Sequence, residues 1–214
     1  MNYPALRFAA AATLLSAALP AYAADPSSYY YVGLGVGYSR VQFYPADFAT
    51  GLTDSPKNFD AGFRGFVGWQ VNRNWAAEVG WVTVGKFKYN TENPATNVSQ
   101  KIDYKVTGIE VSLLPTLPIT RKFSLFGRLG GFFSQARTTV SNPGGIPSDI
   151  VPNVQASQTS FLSGIGFQYV GEEAGVRIEY ENFGPVGSAC TPSEPTCSGR
   201  ANAKMGSINA IFKF

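Results

Sequence analysis

Along most of the chain apolar residues fall on every second position and small or polar residues fill the gaps, the period of strands whose two faces meet different surroundings. From Tyr30 to Tyr38 one parity holds Tyr30, Val32, Leu34, Val36 and Tyr38, and the other Tyr31, Gly33, Gly35 and Gly37. Ala61, Phe63, Val67 and Trp69 alternate with Asp60, Gly62, Arg64 and Gln70, and Trp75, Ala77, Val79 and Trp81 with Glu78 and Gly80. Further on, Ile109, Val111 and Leu113 oppose Glu110 and Ser112, while Leu125, Leu129 and Phe133 oppose Arg128, Gly130 and Ser134. Phe161, Ile165, Phe167 and Tyr169 oppose Ser160, Gly164 and Gln168. Val176, Ile178 and Tyr180 oppose Arg177, Glu179 and Glu181, and Ile208, Ala210, Phe212 and Phe214 oppose Ser207, Asn209 and Lys213. The pattern predicts about eight strands, the number at which a closed barrel is just filled by its own side chains.

The connectors between these segments alternate in length. Asn72 to Asn74, Pro115 to Lys122 and Val170 to Ala174 are compact, whereas Tyr44 to Lys57, Asn90 to Gln100, Ser141 to Ala156 and Gly184 to Gly199 are long and rich in Pro, Asn, Ser and Gly. Short turns at one end and long loops at the other are the arrangement of outer-membrane barrels, with the short turns periplasmic. The predicted fold is therefore all-β: an eight-stranded antiparallel transmembrane barrel in which the bulky apolar parity faces lipid and the glycines and ionic groups face the lumen.

Composition sharpens this reading. Of 214 residues only 14% are charged, against 44% hydrophobic, and there are 23 glycines and no histidine. A charge deficit of this kind suits a barrel, where charge is confined to lumen, rims and loops. The formal net charge is +3 and the basic residues form no run or stripe, which gives nucleic-acid binding no support.

The N-terminus reads as an export leader: Arg7 is the positive region, Phe8 to Leu19 the apolar stretch and Ala21-Tyr22-Ala23 the small-x-small cleavage signal. We expect residues 1–23 to be a signal peptide and 24–214 a single barrel domain. The apolar run stops at Pro20, short of the roughly 20 residues a spanning helix requires. The only cysteines, Cys190 and Cys197, bracket six residues, and in an oxidising compartment they most simply close a disulfide staple across a loop, which could also shape a receptor-binding tip. Without histidine or further cysteine no structural zinc site is expected, and no cofactor or other metal site is indicated.

Three stretches resemble the outer membrane protein A-like family of transmembrane barrels: GFVGWQVNRNWAAEVGW from Gly65 to Trp81, PITRKFSLFGRLGG from Pro118 to Gly131, and RIEY from Arg177 to Tyr180. The resemblance implies a lumen gate or plug of charged residues, with Glu78 and Arg177 in two of the family's positions and Arg128 in another. All three also lie on the polar parity. Glu110, Glu179, Glu181, Asp60 and Arg64 share it, either as a satisfied network that fills the barrel or as the lining of a narrow aqueous path. A buried pair is costly unless matched, so Glu78 and Arg177 are expected to meet. The family's lumen lysine falls on Leu114 and its sixth-strand acidic residue on Gln168, so switching of ion-pair partners is not implied here. Many members carry a peptidoglycan-binding domain after the barrel. This chain ends at Phe214, and the resemblance leads us to expect a stand-alone barrel of the opacity-like, adhesion or serum-resistance kind. Its terminal Phe212 and Phe214 resemble the signal read by the barrel assembly machinery.

Catalysis is not expected, because the enzymes among outer-membrane barrels mostly use a histidine. The alternation Gly33-x-Gly35-x-Gly37 lies within one strand and lacks the strand–turn–helix context of a nucleotide-binding loop. Arg40, Lys57, Lys86, Lys88, Lys101, Lys105, Arg137, Arg200 and Lys204 lie near the long-loop ends, as solvated rim charge or as partners for lipopolysaccharide phosphates. Three functions stay in view. The first is a non-enzymatic envelope barrel presenting adhesin-like loops to a host or surface ligand. The second is a porin-like passive pore for ions or small solutes, gated by lumen charges; for the plugged barrel, conductance is expected to be small or absent and to rise on loss of Arg177. The third is a soluble periplasmic ligand-binding barrel, which would need the aromatic parity to face inward.

Overall fold

The structure, a computed structural model, describes residues 28–44, 58–93, 98–141, 154–189 and 198–214. Eight strands, β1 (Tyr29–Phe43), β2 (Phe59–Asn72), β3 (Trp75–Asn93), β4 (Val98–Pro118), β5 (Phe123–Ser141), β6 (Val154–Val170), β7 (Ala174–Val186) and β8 (Ala201–Lys213), form one closed barrel. Every strand pairs antiparallel with its neighbours in the chain, and β8 closes on β1 with Phe212 opposite Val32 and Ile208 opposite Val36. Closure removes every sheet edge, which lets a barrel satisfy its backbone in hydrocarbon.

The apolar parity faces out on all eight strands. Leu34 (68% exposed) on β1 and Phe161 (66%) on β6 are extremes of a continuous belt that includes Val67, Val79, Val111, Leu129, Ile178 and Ile208. A belt that encircles the molecule would not persist in water, where large contiguous apolar patches are rare. The soluble-barrel reading is corrected here: the aromatics it needed inside, among them Tyr30, Trp81, Phe161 and Phe167, point outward.

Residues 73–74, 119–122 and 171–173 join strands at one end, as the compact connectors predict. At the other end the expected Asn90 to Gln100 connector shrinks to 94–97, because β3 and β4 stay paired out to Asn93 opposite Val98. Similarly β7 runs through Val186 and β6 begins at Val154. Polar side chains do not end a ladder that the backbone itself holds, so a composition-based boundary falls short of the true strand end. The expected leader, Lys57 and the expected Cys190–Cys197 pairing lie outside the described residues.

Two bulges reset the alternation near the long-loop end. The β3–β4 register shifts between Thr83 and Gly85, and the β7–β8 register between Asn182 and Gly184. Gly85 (φ 129°) and Gly184 (φ 71°) adopt backbone angles that side-chain-bearing residues avoid. Each bulge places two successive residues toward the lumen, Val84 with Gly85 and Phe183 with Gly184.

The interior differs from the expectation of glycines and ionic groups alone. It is layered. At the short-turn end lie Tyr31, Phe66 and Ile211, with Ala76, Leu114 and Phe126 beside them. At the long-loop end a larger apolar stratum includes Val82, Val84, Phe132, Leu162, Phe183 and Met205, all essentially inaccessible. The inward glycines make room for these layers: at the short-turn end Gly33 lies directly opposite Phe66, whose ring occupies the space a Cβ at Gly33 would need.

Candidate functional site

Between the two apolar layers lies an ionic one. Arg64 comes from β2, Glu78 from β3, Glu110 from β4, Arg128 from β5 and Arg177, Glu179 and Glu181 from β7, at alternate inward positions. Period-two geometry puts all three β7 residues on one face, while the closed sheet brings the others to the same height from across the barrel.

Every carboxylate meets a guanidinium. Arg177 Nη1 donates to Glu78 Oε1 at 2.5 Å, and Arg128 Nη2 donates to Glu78 Oε2 at 2.6 Å. The same Arg128 nitrogen reaches Glu179 Oε2 at 2.9 Å, and Arg128 Nη1 donates to Ser112 Oγ at 2.8 Å. Arg64 Nη1 donates to Glu179 Oε1 at 2.5 Å and to Glu181 Oε2 at 2.6 Å, and its Nη2 is bonded to Glu110 Oε1. Polar neighbours complete the network. Tyr31 Oη donates to Glu78 Oε1 at 2.6 Å, Asn209 Nδ2 to Glu179 Oε1 at 2.8 Å, and Arg177 Nη2 to Gln168 Oε1 at 2.9 Å. The Arg177 guanidinium also sits over the rings of Phe126 (4.8 Å) and Phe66 (5.1 Å), where cation–π attraction offsets part of its desolvation.

The carboxylates are not equivalent. Glu78 accepts three hydrogen bonds shared between both oxygens, whereas Glu181 Oε1 lies 3.0 Å from Arg128 Nε without hydrogen-bond geometry. Glu110 Oε2 also lacks a partner. Three guanidinium groups thus face four carboxylates. The carboxylates share cations instead of a common metal position, and among the described residues no His, Cys, Asp or Glu group is arranged to hold a metal ion.

Seven of the eight charged residues expected in the lumen, Arg64, Glu78, Glu110, Arg128, Arg177, Glu179 and Glu181, join one network. Asp60 does not: it lies near the long-loop end and accepts the Lys86 N–H at 2.6 Å. Sequence reasoning missed the roles of Tyr31, Ser112 and Asn209, although each is on the inward parity. Gln168, opposite Arg177 across the β6–β7 pair, supplies a neutral acceptor where the resemblance places an acid. Leu114, where the resemblance places a lysine, packs with Ala76 and Phe126 in the lower apolar layer.

The terminal aromatics face outward. Phe214 N–H donates to Tyr30 O at 3.1 Å, its ring stacks on Tyr30 with centroids 6.4 Å apart, and Tyr30 stacks on Trp69 at 6.0 Å, so aromatic rings cross the β8–β1–β2 seam. Of the rim bases, Arg40, Lys86, Lys88, Lys105 and Arg137 are exposed on the outer surface and Lys204 is half-buried there, each flanked by inward neighbours such as Val41, Phe87, Tyr104, Ala136 and Ala203. Arg200 is exposed, with its guanidinium 5.3 Å from the Tyr44 ring centre. The Lys101 side chain is outside the described residues.

Comparison with known proteins places this architecture. The family model described as OmpA-like transmembrane domain matches residues 26–214. Outer membrane protein A of Salmonella typhi is 29% identical over 183 residues, covering 86% of this chain and 49% of that protein. The chain therefore spans about half the length of this curated relative. Among solved structures, Neisserial surface protein A is similar with a TM-score of 0.53 and 14% identity, covering 88% of this chain and 99% of that one. The attachment invasion locus protein of Yersinia pestis has a TM-score of 0.50 and 18% identity, with coverage of 88% and 99%. At these identities the solved structures speak to the fold alone.

Proposed function

The chain belongs to the OmpA-like transmembrane domain family and is a multi-pass β-barrel of the Gram-negative outer membrane, and from that premise we propose that it is a closed, non-enzymatic envelope barrel whose contacts with the outside are made by its long loops. The observation that carries the proposal is the layered filling of the lumen. An ionic network with shared hydrogen bonds lies between two apolar layers, so the barrel acts as a rigid plug that holds the loop ends in place. The ionic layer also disfavours alternative registers, since a one-residue slip would turn Arg64, Glu78 and Arg128 into lipid. Residues 1–23 serve in this reading as the export leader, and Phe212 with Phe214 as the signal to the assembly machinery. The absence of histidine from the sequence supports a scaffold over an enzyme.

Planar-bilayer recording of the full mature chain tests the plug: conductance at or near the bare-membrane level is expected, and a large steady pore would refute it. Binding of the purified barrel and of loop-trimmed variants to host-matrix and complement proteins tests the surface role, with binding expected to follow the loops.

A small-solute pore is the second reading. One observation favours it, a cavity of about 760 Å³ at the short-turn mouth, lined by Gln70, Arg73, Arg121, Lys122, Gln168 and Lys213 among others. The apolar stratum at the opposite end argues against continuity of that vestibule with the exterior.

A further inference from the structure

The bulge at Gly85 decides the charge pattern of the outer surface. Unbroken alternation from Trp75 would put Lys86 and Lys88 on the lumen parity of Glu78 and Val82. The register shift between Thr83 and Gly85 turns Phe87 inward and leaves both lysines exposed on the outside. There Lys86 lies directly opposite Lys105 on β4, and Lys105 directly opposite Arg137 on β5. Across the seam, Arg40 on β1 lies opposite Lys204 on β8.

Like charges placed directly opposite each other weaken a sheet. Among the described residues none of Lys86, Lys105 and Arg137 is in an ion pair, and Arg137 has only a hydrogen bond of 3.3 Å to Gln155 Oε1. The neighbouring carboxylates do not neutralise the row. Asp103 shares the outer face one two-residue step beyond Lys105, opposite Lys88, and is in no ion pair among the described residues, so it offsets only one of the four cations Lys86, Lys88, Lys105 and Arg137; Asp60 lies on the inward parity with its Oδ2 taken by the Lys86 N–H.

The height of the row identifies what would. Trp81, Ile109 and Phe133 are paired outward residues of the apolar belt. Thr83, Thr107 and Gln135 follow, and then Lys86, Lys105 and Arg137. Each two-residue step advances about 7 Å along a strand, which places the cations at headgroup depth beside the acyl region. The side chains point laterally, toward lipid, and not out toward a soluble partner. Two strand spacings separate Lys86 from Arg137, about 10 Å, more than one phosphate spans.

We propose that Lys86, Lys105 and Arg137 form a lateral binding site for an outer-leaflet glycolipid carrying two phosphates. The site rests on the outer-membrane placement of the barrel and is independent of what the loops bind. The test uses the full mature chain refolded in zwitterionic detergent and titrated with bisphosphorylated lipid A, its monophosphorylated derivative and phosphatidylglycerol, with folding checked by heat-modifiable gel migration. The parent should bind bisphosphorylated lipid A most tightly. K86Q/K105Q/R137Q should weaken it on the order of a hundredfold, since each basic group at an anionic surface contributes roughly fivefold. R73Q/R121Q/K122Q, which removes as much charge from the opposite end, should leave it unchanged. K105Q alone, which removes the central cation, should show an intermediate loss and serves if the triple variant does not fold. Unchanged affinity in the row variants would overturn the proposal. So would equal binding of phosphatidylglycerol, or an equal loss in the short-turn variant, since either would reduce the effect to net charge.

Discussion

Glu78 on β3 and Arg177 on β7 are 99 positions apart in the chain and meet at 2.5 Å inside the closed barrel. Neither residue has this partner until the sheet curls on itself, so the bond couples ionic satisfaction to closure. Removing Glu78 leaves Arg177 buried without a carboxylate, whereas removing Arg177 leaves Glu78 its bond from Arg128. We expect E78Q to lower stability by about 3–5 kcal/mol and R177Q by less, measured by urea unfolding in lipid vesicles with tryptophan fluorescence. A loss below about 1 kcal/mol, the scale of an exposed pair, would mean that the network does not hold the barrel closed.

The unequal partners of the four carboxylates lead to a sharper test. Glu78 accepts three bonds, while Glu181 accepts one from Arg64 and leaves Oε1 without hydrogen-bond geometry. Because carboxylates outnumber guanidinium groups in the layer, E181Q should cost under about 1 kcal/mol, against several for E78Q. Equal losses in the same unfolding assay would show that the layer behaves as one indivisible unit.

Conductance separates the ionic layer from the apolar stratum beyond it. The expectation that loss of Arg177 alone opens a path is revised by the structure, because Phe132 and Phe183, with ring centres 4.8 Å apart, lie on the long-loop side of the network. R177A should therefore remain nearly silent in planar bilayers, whereas R177A combined with F132S and F183S should conduct. A large pore from R177A alone would show that the apolar stratum is no barrier to ions.

Phe132 also has a plain packing prediction. It is wholly buried and its ring meets Phe183, so F132A should cost about 3–5 kcal/mol through the cavity it leaves. A melting temperature within a degree or two of the parent would show that the stratum is loosely packed.

Phe214 offers a contrast between stability and assembly. Phe214 is 77% exposed and among the described residues its ring stacks on Tyr30, so F214A should change stability in lipid by about 1 kcal/mol or less. If the residue is read during insertion, the same variant should sharply reduce heat-modifiable barrel in the outer-membrane fraction of cells. Normal assembly would confine Phe214 to closing the seam.

Much of the fold was legible because strand alternation is a local property. Val32, Leu34 and Val36 against Gly33, Gly35 and Gly37 declare two faces wherever the strand ends up, and the same holds for Ile178 and Tyr180 against Arg177 and Glu179. Strand ends were less legible. The polar stretch through Asn90 looks like loop, yet the backbone ladder of β3 and β4 continues to Asn93 and Val98. The ionic residues could be recognised as lumen candidates from parity, but Tyr31 and Asn209 could not be assigned roles, since their partners lie on distant strands.

What the sequence determined by itself was the period of two, the alternation of short and long connectors and the confinement of charge to one parity. These settle an all-β barrel with an apolar exterior, because each depends on neighbours in the chain. The tertiary structure decided which charges meet, where the lumen turns apolar and on which side Lys86 and Phe87 emerge. Those outcomes depend on ring closure and on single-residue register shifts at Gly85 and Gly184. A bulge inverts every side chain beyond it without altering the local pattern, and only the paired strand reveals that it has occurred.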